Sequence, residues 1–137
     1  MTLSQLSQHY QLRTQLKKDE EMLFNLRMAA TPSGHALDGM PKAPGVHDKV
    51  GAIAIAIVDM EERIKYLKIQ ISEGEKDISA RIGAISNDQT RLIFRLRFIG
   101  GLTWAEVAKI IGGRNTEAGV RMTCYRYLNA QPEDGSL

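Results

Sequence analysis

The chain is poor in several residue types, and each shortage excludes something. It has one cysteine, Cys124, in 137 residues, so no internal disulfide can form, and a reducing cytosol suits it. Aromatics make up only 6% of the chain, with a single tryptophan, so the core must be built from Leu, Ile, Val, Ala and Met. The longest apolar run, residues 52 to 58, is far too short to span a bilayer. The first residues, MTLSQLSQHYQLRTQLKK, lack a basic start followed by an apolar stretch, so no secretory signal is expected and no membrane partner is expected either. There is no glycine-rich phosphate loop. His9, His35 and His47 show no metal-ligand spacing, and the His35/Asp38 and His47/Asp48 pairs read as ordinary polar loop residues. The expectation is a cytoplasmic protein that is not an enzyme and carries no cofactor or metal.

Charge is balanced overall at +2 but unevenly placed. Residues 1 to 86 carry 11 basic and 11 acidic side chains. Residues 87 to 129 carry seven basic ones (Arg91, Arg95, Arg97, Lys109, Arg114, Arg121, Arg126) against three acids (Asp88, Glu106, Glu117). A local basic excess attracts polyanions.

The apolar pattern predicts an all-α chain. Leu3, Leu6, Tyr10, Leu12, Leu16, Leu23, Leu26 and Ala30 recur at helical spacing with no Gly or Pro between residues 2 and 30. The charge run Lys17–Lys18–Asp19–Glu20–Glu21 reads as a solvated face. Residues 31 to 47, with three prolines and three glycines, predict a loop. A second long helix is expected over 48 to 85, with Asp48 as its N-cap. Val50, Ile53, Ile57, Met60, Ile64, Leu67 and Ile71 alternate by three and four, as in a heptad seam. Gly74 falls on that seam and Gly83 follows, so the helix is expected to bend or fray there. The seam needs a mate. The first helix would give an antiparallel coiled hairpin over residues 1 to 86, and a second copy of the chain would give a homodimer through the heptad helix.

Three shorter helices are expected between 87 and 130, followed by a polar tail over 131 to 137. Asn87 caps the first, which carries Leu92, Ile93, Leu96 and Ile99 and stops at Gly100–Gly101. Thr103 and Glu106 form a T-x-x-E capping box for the second, with an inward stripe of Trp104, Val107, Ala108 and Ile111. Gly112–Gly113 ends it. Asn115 or Thr116 caps the third, held from behind by Val120, Cys124, Tyr127 and Leu128. Two helices around a glycine turn, with a third packed across them, describe a helix-turn-helix. Its last helix leaves Glu117, Ala118, Arg121, Met122, Tyr125 and Arg126 outward. Arg121 suits a bidentate contact to guanine and Glu117 suits the cytosine amino group. Arg114 and Arg126 suit phosphates, and Asn115 and Thr116 complete the candidate DNA-binding set at the helix N-terminus.

The stretch RLIFRLRFIGGLTWAEVAKIIGGRNTEAGVRMTCYRYL resembles region 4 of bacterial sigma factors. The shared pattern is an arginine-rich helix, then G-L-T-x-x-E-V-A, a turn, and T-x-x-x-V-R. Upstream, DGMPKAPGVHDKVG and the later D-M-E at 59 to 61 resemble the sigma-factor-like phage regulators of the ArpU/RinA type. The resemblance implies a phage or prophage transcriptional regulator. Double-stranded DNA would be its ligand, with Glu117, Ala118, Arg121 and Met122 facing the bases, and host RNA polymerase a further partner. The turn G-G-R-N-T is about two residues longer than in housekeeping sigma factors, and Ala118 and Met122 are poor polar readers, so the target need not be the usual promoter element. Two rivals remain: a helical adaptor whose hairpin is the working surface, and a DNA-packaging subunit.

Overall fold

The computed structural model describes residues 1–31 and 46–131, and every described element is helical. In chain order these are α1 (Leu3–Ala30), α2 (Val46–Gly83), α3 (Asp88–Phe94) continuing into a π-helical turn (Arg95–Ile99), α4 (Trp104–Ile111) and α5 (Glu117–Ala130). The all-α architecture expected from the apolar periodicity is what forms: two long helices, then a small helical domain. The predicted loop and tail fall largely on residues 32–45 and 132–137, outside the described residues, and His35 and Asp38 lie there too. Helix α2 begins two residues earlier than its pattern suggested. Asp48 is therefore not its N-cap but a first-turn acid, where it complements the partial positive charge of the helix start.

The chain divides into two compact units. One comprises Met1–Thr14 with Gln70–Leu137, the other Gln15–Ile69. The first is built around one apolar cluster: Leu6 of α1, Ile78, Ile82 and Ile85 from the α2 end, and Ile93, Phe94, Phe98, Trp104, Val107, Val120 and Cys124 from the small helices. A boundary at residue 86 is thus not where the packing divides. Leu6 is fully buried, and Ile82 and Ile85 belong to the same core as the helix-turn-helix.

The second unit is a pair of antiparallel helix segments. Arg63 meets Asp19 at 2.7 Å and Arg27 meets Glu61 at 3.1 Å, a pairing in which one residue number rises as the other falls. Leu23, Ile64 and Leu67 are buried between the segments. Ile64 and Leu67 of the α2 seam are therefore covered by α1 of the same chain, whereas Val50 at its start is 61% exposed. The charge run at 17 to 21 is not uniformly solvated: Asp19 is fully buried, with Gln15 donating to its Oδ1 at 2.8 Å.

Within the first unit the seam continues through Ile71, Ile78 and Ile82, and α2 neither frays nor stops at Gly74. A Cβ placed on Gly74 would lie 3.6 Å from His9 Nδ1. The missing side chain leaves room for a buried imidazole on the facing helix. Next to it Arg13 donates to His9 Nε2 at 3.3 Å and pairs with Glu75.

Candidate nucleic-acid interface

Local chemistry fixes the small helices where the sequence placed them. Asn87 accepts from the Thr90 N–H at 2.9 Å and starts α3. Thr103 and Glu106 close a reciprocal capping box on α4, each link 3.1 Å long. At the other end of α4, Gly112 and Gly113 adopt φ of 72° and 65°, a left-handed region that side chains with a Cβ avoid. This double reversal sends the chain through Arg114 and Asn115 to Thr116. The Thr116 hydroxyl accepts from the Gly119 N–H at 3.0 Å and opens α5.

Helix α5 is held from behind by Val120 and Cys124, both fully buried. Burial pushes the Cys124 thiol up to about 12, against the opposing pull of the Arg97 guanidinium, so it acts as a small core residue rather than a nucleophile. Opposite that face, Ala118 and Met122 are exposed, and Glu117 and Arg126 flank them, also exposed. Arg114 is exposed in the turn before the helix. Arg121 is half-buried.

Three of the nine candidate residues are engaged within the protein. The Thr116 hydroxyl serves as the cap. The Asn115 amide donates to the Gly112 carbonyl at 2.9 Å and accepts from Gln89 at 3.3 Å, which ties the turn to α3. Tyr125 is half-buried and packs edge-on against Trp104, with ring centroids 6.3 Å apart. The arrangement thus brings together Arg114, Glu117, Ala118, Arg121, Met122 and Arg126 as groups with exposed surface. Asn115, Thr116 and Tyr125 hold the turn and the helix in place.

The basic excess of this region is similarly divided. Arg91 donates to the Ile85 carbonyl at 2.7 Å and pairs with Asp88. Arg97 lies inside: its guanidinium carbon is 3.6 Å from the Tyr10 ring centroid and 4.5 Å from that of Trp104, and Nη1 donates to the Leu102 carbonyl at 3.1 Å. Burial lowers its pKa from the ordinary arginine value, while the nearby Tyr10 and Tyr125 work the other way. A guanidinium is the cation best suited to such a site, because its flat face stacks on aromatic rings. The π-helical turn makes this geometry: the Gly100 N–H reaches back to the Arg95 carbonyl at 2.8 Å, and Phe98 turns fully into the core beside it. Nothing in the local sequence signals that Arg97 is a packing residue rather than a surface charge. Arg95, Lys109, Arg114 and Arg126 remain as exposed cations of this region.

Among the described residues no group of His, Cys, Asp and Glu could hold a metal ion, and no helix is long and apolar enough to cross a membrane. Comparison with protein-family models, curated proteins and solved structures found no match to this chain.

Proposed function

We propose that the C-terminal helical domain binds double-stranded DNA, with α5 entering the major groove, and that the chain is a phage or prophage transcriptional regulator. One observation carries the reading. The helix after the glycine turn presents Glu117, Ala118, Met122 and Arg126 to solvent, with Arg121 at its flank and Arg114 just before it, while its apolar side is fixed by Val120 and Cys124. That is the layout a reading helix needs, since its first turns must reach base edges while its back is anchored. Arg121 and Glu117 lie in those first turns and serve base readout. Arg114 and Arg126 serve the phosphates on either side. Contact with host RNA polymerase belongs to the same proposal through the sigma-like pattern of the helices.

The test is a salt titration on duplex DNA followed by two substitutions. Log affinity should fall linearly with log salt, with a slope of ~0.9 for each phosphate neutralised. Arg121→Ala should abolish sequence preference, and Arg126→Ala should weaken all duplexes alike. Absence of duplex binding at low salt would sink the regulator reading and favour the adaptor or packaging alternatives, in which the helical pair is the working surface.

A further inference from the structure

Helix α2 carries a second apolar stripe. In the unit formed by Gln15–Ile69, Ile55, Val58, Tyr66 and Ile69 are exposed at 65%, 54%, 62% and 48%. At about 100° per residue, these four lie within roughly 80° of one another and on the side of α2 opposite Ile64 and Leu67, which face α1. The stripe is thus independent of the seam. With Glu62 at its middle, it runs 55, 58, 62, 66, 69, and its spacing of three, four, four and three reads the same in both directions.

The geometry points to a second copy of this chain as the occupant, packed antiparallel along α2 on a twofold axis near Glu62. Two observations select that arrangement. The palindromic spacing lets the stripe map onto itself when reversed, so that Ile55 of one copy packs beside Ile69 of the other and Val58 beside Tyr66. The charges around it are also polarised along the helix. Asp59 and Glu61 precede the midpoint and Arg63 and Lys65 follow it, all exposed. Reversal sets the acidic half of one copy beside the basic half of the other. A parallel pair would set like against like, as happens to opposing charges placed in the wrong register of any helix pair. Arg63 and Glu61 also bond within the chain, to Asp19 and Arg27; at about 100° per residue the reversal stands Asp59 of one copy beside Arg63 of the other, and Lys65 beside Glu61.

The area is sufficient. Four such side chains on each of two copies cover roughly 1,000 Å² of apolar surface, and the flanking stems bring the contact to the lower end of stable interfaces, about 1,200 Å². Glu62 is the weak point, because the twofold axis sets it near its own copy. That makes the pair adjustable rather than permanent.

Sedimentation equilibrium of the full chain across the micromolar range tests the proposal, with circular dichroism confirming that each variant keeps its helices. The wild type should dimerise. Val58→Arg and Ile69→Arg, both at exposed positions and both to a good helix former, should each weaken the dimer about tenfold or more. Glu62→Leu should tighten it by a similar factor. Orientation is read by oxidative crosslinking: chains carrying Ile55→Cys should link to chains carrying Ile69→Cys, and neither should link to itself. The native Cys124 is buried and does not compete. A monomer at every concentration overturns the proposal. So does a dimer indifferent to both arginine substitutions, or one that crosslinks Ile55→Cys to itself. None of these measurements involves DNA, so they stand or fall apart from the regulator reading.

Discussion

The unit containing the three small helices and the unit formed by Gln15–Ile69 are both helical, yet they are held together differently. In the first, aromatic rings meet at several angles: Phe94 against Phe98 and Tyr127, and Phe98 against Trp104, with centroids 5.3 to 6.1 Å apart. Helices approach that core from several directions, so Ile93, Phe94, Phe98, Val107 and Val120 are covered from more than one side. In the second, two helix segments meet along one line. Leu23, Ile64 and Leu67 are buried there, but Phe24, Met28, Ile55, Val58 and Tyr66 remain more than half exposed. A helix pair covers one face of each partner and no more, and most helical stability in proteins comes from covering an amphipathic face. The difference teaches that residues 15 to 69 leave more of their large apolar side chains uncovered than the small helices do, where Ile110 alone is more than half exposed.

The sharpest way to break the contrast is Trp104→Ala. Trp104 packs against Phe98 and Tyr125 and backs the Arg97 guanidinium. Truncating a buried tryptophan costs about 3–5 kcal/mol. Denaturant unfolding should show that loss in full, because the ring joins α4, α5 and the π-helical turn in one cluster. A change under about 1 kcal/mol would mean that the cluster is not the source of that unit's stability.

The two-helix unit should respond next, and through charge rather than volume. The Asp19 carboxylate is fully buried, while its partner Arg63 is 56% exposed. Removing one partner of a buried pair strands the other and costs about 3–5 kcal/mol, but the exposure of Arg63 lets water screen the loss, so Arg63→Ala should cost about 1–3 kcal/mol. Asp19→Leu should be close to neutral or stabilising, because it removes the buried charge together with the demand for a partner. If Asp19→Leu destabilises more than Arg63→Ala, the pair contributes net stability and the argument fails.

A smaller effect, of opposite sign, is expected where the two helices face each other within the first unit. Gly74 sits in the interior of α2 at an ordinary helical conformation, and a methyl group there would stand at normal contact distance from His9. Gly74→Ala should therefore stabilise by up to about 1 kcal/mol, the difference in helix propensity. A loss of stability would show that His9 needs the whole of that gap. Thermal unfolding of the two proteins at matched pH decides it.

These cases also show what the sequence could and could not disclose. The caps at Asn87, Thr103 and Thr116 and the turn at Gly112–Gly113 were legible because capping is a matter of a few neighbouring residues. The seam of α2 was legible because its residues are uniformly apolar. The matching seam of α1 was not. Its facing positions include His9, Arg13 and Asp19, so a pattern that looks for apolar residues passes over them, and only the partners on α2 explain their place. Arg97 escaped for the same reason: its aromatic neighbours Tyr10 and Trp104 come from distant parts of the chain, and the π-helical turn that aims it has no local signature. Among the candidate DNA-contacting residues, exposure at Glu117 and Arg126 followed from helical phase alone. The inward packing of Tyr125 depended on where Trp104 stands.

A change of pH acts on the buried imidazole of the first unit. His9 is 3% exposed and its pKa lies below the ordinary value of 6.5, first because burial disfavours the charged form, then because Arg13 repels it, with Glu75 opposing in part. Its neutral Nε2 accepts from Arg13, a role that protonation removes. Between the lowered native pKa and 6.5 the unfolded chain binds more protons than the folded one, so stability must rise with pH across that interval. The contribution is complete above pH 6.5 and is lost as the pH falls through the native value. His9→Gln, which keeps an acceptor and cannot take up a proton, should flatten this part of the stability curve. Urea unfolding in steps between about pH 5 and pH 7.5, run on both proteins, distinguishes the outcomes. A wild-type curve as flat as that of His9→Gln would mean that the imidazole is free to meet water, and that the gap at Gly74 does not enclose it.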